Sequence, residues 1–169
     1  MSNLRAREPL ERAQRLFRDR PSAAKKNVPA TAVLHGGLRC EITGSGGESV
    51  ATDMPGPLGG DGSAPSPSWL LRASLASCSA SAIAMRAAMH GIELRRLEVT
   101  VQGESDVRGA VGIDGVSLAL SQMRISVRIS GADAPEARLR AIAEWGATQS
   151  TVSATLHESA PMALEVLIV

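Results

Sequence analysis

Apolar and polar positions alternate with three distinct rhythms along the chain, and each rhythm predicts its own elements. Over residues 5–19, Leu10, Ala13, Leu16 and Phe17 recur at helical spacing among charged residues, predicting a short amphipathic helix that Pro21 ends. Residues 28–34 and 38–43 read as strands joined by a tight turn at His35-Gly36-Gly37. A second turn over Gly44–Gly47 leads into a short strand, Glu48–Thr52, so the segment predicts a small antiparallel meander. Residues 92–103 and 117–129 are expected as longer strands separated by a loop over 104–116. A helix over Ala134–Ala147 follows, with Leu139, Ile142, Ala143 and Trp145 inward. After a break near Thr148–Ser150 come a helical turn through Leu156 and a closing strand over Pro161–Val169.

The third rhythm is continuous. From Asp53 to Ser68 the chain is rich in Gly and Pro and has no period, and then a helix over Pro67–His90 begins abruptly. Ser66 suits the N-cap, Pro67 the first helical position and Gly91 the stop. Arg72, Arg86 and His90 are its only chargeable side chains, and its centre is crowded with Ala and Ser. A helix apolar nearly all round is expected to be buried, inside the molecule or at a subunit interface. The mixed order of elements implies an α+β fold rather than a wound parallel sheet.

Composition sharpens this picture at two points. One Phe, two Trp and no Tyr leave the core to aliphatic side chains and Ala, which permit close backbone approach. Charge is uneven: residues 1–27 hold eight basic against three acidic residues, a net +5, leaving −4 for the rest of a chain of net charge +1. The organisation expected is a basic helical arm over 1–27 followed by one domain over 28–169. The arm reads either as a solvated amphipathic helix or as a segment that docks on an acidic surface of a partner subunit. Nothing global favours nucleic acid, and no apolar run has the length of a signal-peptide core or a membrane span, so a cytoplasmic protein is expected.

In that compartment Cys40 and Cys78 are expected as thiols rather than a structural disulfide. Each reads as a buried core thiol or as a thiol with a chemical role. Ser150 and His157 lie seven apart, a faint Ser–His pairing with no third orienting group. His35, His90 and His157 do not fall at metal-ligand spacing, and the Gly59-Gly60-Asp61-Gly62 loop lacks the lysine of a phosphate-binding loop, so neither a metal nor a cofactor is expected.

Gly59-Gly60, then Ala64-Pro65-Ser66-Pro67, then an Ala-rich helix with Cys78 halfway along it, resemble the OsmC/Ohr family of small thiol-dependent proteins. The order downstream is similar too: two long strands, a helix, the turn Thr151-Val152-Ser153-Ala154-Thr155-Leu156 and a terminal strand. The resemblance spans roughly residues 30–169. It implies an OsmC-like fold, antiparallel sheets around a buried central helix, and an intertwined homodimer whose sites draw on both chains. It also implies that Cys78 is the peroxidatic cysteine, activated by an arginine from the N-terminal meander. Arg39 is the nearest candidate, although the residues alone read it equally as an exposed strand arginine.

Two family positions are changed. Ser68 stands where the family carries a glutamate that orients the arginine, and Ser150 stands where it carries a second, resolving cysteine. The expected activity is reduction of organic hydroperoxides by Cys78, with the sulfenic acid resolved by an external thiol reductant or by Cys40. A non-catalytic module binding an apolar small molecule, and a peroxide sensor, are the alternatives.

Overall fold

The computed structural model describes residues 2–25 and 27–168. Met1 and Lys26 of the expected arm, and Val169 of the expected last strand, lie outside the described residues. Helix α1 (Arg7–Asp19) is preceded by a 3-10 turn over Asn3–Ala6 and followed by another over Pro21–Ala24. The arm packs on its own chain. The Asn3 side chain clamps it there, Nδ2 donating to the Ile92 carbonyl at 3.0 Å and Oδ1 accepting from the Leu94 N–H at 2.9 Å.

Strands β1 (Ala30–Leu34), β2 (Cys40–Gly44) and β3 (Ser49–Thr52) form the expected antiparallel meander, with Leu34 opposite Cys40 and Cys40 opposite Thr52. Every residue of β1 is exposed. The loop that follows is organised by Asp53, which is 2% exposed. Its Oδ1 accepts from the Met54 N–H, and its Oδ2 accepts from the N–H groups of Asp61 and Ser63 and from the Ser63 hydroxyl. These donors, the Ser63 N–H foremost, hold the carboxyl below its ordinary pKa. Gly60 is required here because a Cβ would collide with the Met54 carbonyl and lie 2.8 Å from the Asp53 carboxylate.

Helix α2 (Pro67–Met89) starts and stops as its local chemistry predicts. The Ser66 hydroxyl accepts from the Trp69 N–H, Pro67 occupies the first position, and Gly91 takes a left-handed φ of +69° beyond the His90 cap. The longer strands, β4 (Leu94–Glu104) and β5 (Ser121–Gly131), pair antiparallel with Leu97 opposite Ile129 and Val99 opposite Val127. Between them residues 107–110 close a single helical turn, α3 (Val107–Ala110), within the expected loop. Residues 117–120 lie outside β5, which begins later than their alternation predicts.

Helices α4 (Glu136–Gln149) and α5 (Thr151–Glu158) meet at Ser150, which caps α5. The core forms where α2 meets α4 and β4: Ile83, Ala87, Ile142 and Ala143, lined by Leu94, Leu97, Val99, Val127 and Ile129. At Gly146 the α4 and α2 backbones touch, since a Cβ there would lie 2.7 Å from the Ile83 nitrogen. Small side chains thus do allow close helix packing. Burial of α2 is one-sided, however, because Leu71 and Met85 are exposed. Trp145 also turns outward rather than into the core. Beyond α5, residues 160–168 form no strand, and Met162, Leu164 and Ile168 are almost fully exposed. No helix among the described residues is long and apolar enough to cross a membrane.

Candidate thiol site

Cys78 sits midway along α2 as a half-buried free thiol. It opens into a cavity of about 350 Å³ whose walls come from four helices. Helix α2 contributes Ala82, Met85 and Arg86 along one face, and α1 contributes Leu10 and Gln14. Trp145 of α4 and Thr151 of α5 complete it, together with Ser150. A larger groove, about 890 Å³ between β5 and α4, contains no cysteine, and the arginines and glutamates on its rim include the ion pair Arg140–Glu136 at 2.8 Å. The thiol makes the smaller cavity the candidate site.

Ser150 lines this cavity and is buried, so the chain brings positions 78 and 150 together. Its hydroxyl lies 3.4 Å from that of Ser79, the residue after the thiol, and accepts from the Ser153 N–H at 3.3 Å. These contacts make Ser150 a satisfied helix cap. The Ser–His pairing does not form, since His157 is exposed and lines a different pocket, beside Leu71 and Leu75.

Arg39 and Cys40 lie on or beside β2, outside the cavity. The Arg39 guanidinium is exposed and donates to the Ser63 hydroxyl at 2.8 Å, which in turn donates to Asp53. Both cysteines are free thiols. Ser68 is within hydrogen-bonding distance of the Ser66 hydroxyl at 3.2 Å. Arg72 lines a separate pocket with Asp53 and Trp69. Neither Arg39, held on Ser63, nor Arg72, in its separate pocket, hydrogen-bonds the Cys78 thiol.

The cavity also holds a cation that inspection of the sequence passes over. Arg86 lies two helical turns after Cys78, with its guanidinium carbon 4.6 Å from the centre of the Trp145 ring. The signal was present in the spacing, because residues 78, 82, 85, 86 and 89 fall at i, i+4, i+7, i+8 and i+11 on one helix face. At the end of that face Arg138 donates to His90 Nδ1 at 2.9 Å. Desolvation, then the charges of Arg138 and Arg86, lower the His90 pKa from its ordinary 6.5.

Comparison with known families matches residues 60–165 to OsmC-like protein, a stretch holding Cys78, Arg86 and Ser150. The chain belongs to the OsmC-like family. No curated protein sequence matches it. Among solved structures, the OsmC-like protein of Mycoplasma pneumoniae superposes with a TM-score of 0.63 at 17% identity, covering 79% of this chain and 89% of that one. The organic hydroperoxide resistance protein OsmC of Legionella pneumophila gives 0.57 at 21% identity, covering 79% and 90%. At such identities these likenesses show the OsmC-like fold. Helix α1, the meander, Arg39 and Cys40 precede the stretch matched to the OsmC-like family.

Proposed function

We propose that this OsmC-like chain reduces organic hydroperoxides through Cys78. The observation that carries the reading is a free, half-buried thiol opening into an apolar cavity in a chain of this family. The thiolate attacks a peroxide oxygen; an S–O bond forms as the O–O bond breaks. The sulfur is oxidised by two electrons, and the leaving alkoxide takes a proton to become an alcohol. Ser150 has no thiol to offer. An external small thiol therefore condenses with the sulfenic acid, releasing water and leaving a mixed disulfide. A second such thiol attacks that disulfide, returning Cys78 as a thiol and departing as the small disulfide. A reducing cytoplasm supplies this reductant and keeps Cys40 reduced.

The functional unit we propose is a homodimer. A folded monomer of this mass exposes about 7,900 Å², whereas the chain exposes 12203 Å². Apolar side chains stand exposed on β1 (Val33, Leu34), on the open face of α2 (Leu71, Met85) and along residues 160–168, and a second copy of the chain can cover these surfaces. Arg39, on the projecting meander, would then reach the Cys78 of the other copy and stabilise its thiolate.

Consumption of cumene hydroperoxide in the presence of a small dithiol tests the reading. Wild type and Cys40→Ser are expected to turn over, and Cys78→Ser to lose consumption entirely. Full consumption by Cys78→Ser removes the proposal. Oxidation of Cys78 without turnover under any reductant assigns the protein as a peroxide sensor instead.

A further inference from the structure

The Cys78 cavity has a polar end that peroxide chemistry does not use. Eight residues separate Cys78 from Arg86 on α2, about 12 Å along the axis at 1.5 Å per residue. The wall between them is mostly apolar, Ala82 and Met85 from α2, Leu10 from α1 and the Trp145 ring from α4, with Ser81 as a hydroxyl among them. No Asp or Glu lines the cavity, and among the described residues no carboxylate pairs with Arg86. Arg138, which donates to His90, is a second cation bearing on the same end of α2 as Arg86. Several exposed arginines of the molecule are otherwise occupied, Arg7 with Glu11, Arg96 and Arg128 with Glu98, Arg140 with Glu136. Arg86 is instead held against an aromatic face, which orients the guanidinium while leaving its N–H fork free to take an anion bidentately.

We infer that Arg86 is a carboxylate-recognising residue of this cavity, which takes an apolar chain with its reactive oxygen at Cys78 and its terminal carboxylate on Arg86. The peroxide end of this assignment rests on the function proposed above; the carboxylate end does not. Helix α1 lines the cavity through Leu10, and its Gln14 is a further polar group available to the ligand.

Decanoate, whose extended length is comparable to the Cys78–Arg86 separation, and its uncharged methyl ester test the carboxylate end by titration calorimetry. Wild type is expected to bind decanoate about tenfold or more tightly than methyl decanoate, as hydrogen bonds to a charged group imply. Arg86→Gln is expected to abolish that preference and Arg86→Lys to keep part of it, with folding verified by circular dichroism. Equal binding of the two compounds by wild type overturns the inference without recourse to any variant. A preference that survives in folded Arg86→Gln overturns it as well. Neither compound carries a peroxide, so the outcome stands whether or not Cys78 turns over. A fatty acid hydroperoxide and its methyl ester form the second arm. Failure to consume either one removes the peroxidase reading alone, whereas equal kcat/KM for both counts against Arg86.

Discussion

Ser150 shows how a buried hydroxyl is satisfied in the wall of the Cys78 cavity. Its hydroxyl caps α5 and meets Ser79 at 3.4 Å, so the polar atom is satisfied by neighbours that need no sulfur. The same position lines the Cys78 cavity. We therefore expect Ser150→Cys, in a Cys40→Ser background, to form an intrachain disulfide with Cys78 after stoichiometric peroxide, which requires Cα atoms within about 7 Å. Peptide mapping detects the bridge, and a variant that keeps both thiols apart after oxidation contradicts the geometry. Such single-residue features differ in how far the sequence reveals them. Cys78 stands out because it is one of two cysteines and sits in a patterned helix. Arg86 does not, because a search for an activating cation looks close to the thiol, while its partner ring comes from a helix far along the chain. Trp145 faces outward for a similar reason: helical spacing gives its angular position, but not the cation that makes a half-exposed site favourable.

At the scale of elements, what holds α2 in place is the absence of bulk. Gly146 lets α4 approach the Ile83 backbone, and Ile83 itself is fully buried. Gly146→Ala should push these helices apart at a cost of about 1–3 kcal/mol, as overpacking does, measured by urea denaturation. An unchanged midpoint would mean the contact is looser than described. The end of α2 carries a pH dependence. His90 has a lowered pKa in the folded chain, so the unfolded chain binds its proton more readily. The stability tied to neutral His90 is present in full above 6.5 and is lost as pH falls through that value toward the lowered one. Thermal melts are expected to show this decline in wild type and a weaker one in His90→Gln; identical slopes would contradict the assignment. Helix α2 was legible to within a residue because Ser66, Pro67 and Gly91 act locally. The start of β5 and the terminal strand were not. Alternation marks a segment able to pair, but pairing needs an edge, and residues 160–168 meet none within one chain.

For the whole molecule, the small core and the large exposed area point the same way. Among the described residues eight hydrophobic side chains are buried, while residues such as Val33, Leu34, Met85 and Leu164 remain open. A chain left so incomplete is expected to associate, and sedimentation equilibrium should return twice the chain mass of 17.6 kDa. A monomer stable at micromolar concentration would contradict the dimer and leave Arg39 without a thiol to serve. The proposed chemistry nevertheless stands or falls at one atom. The most direct measurement treats Cys40→Ser protein with equimolar organic hydroperoxide, traps the sulfur product with dimedone, and quantifies the alcohol formed. The account predicts one sulfenic acid, located on Cys78, for each alcohol released. Unmodified Cys78 beside intact hydroperoxide would contradict it.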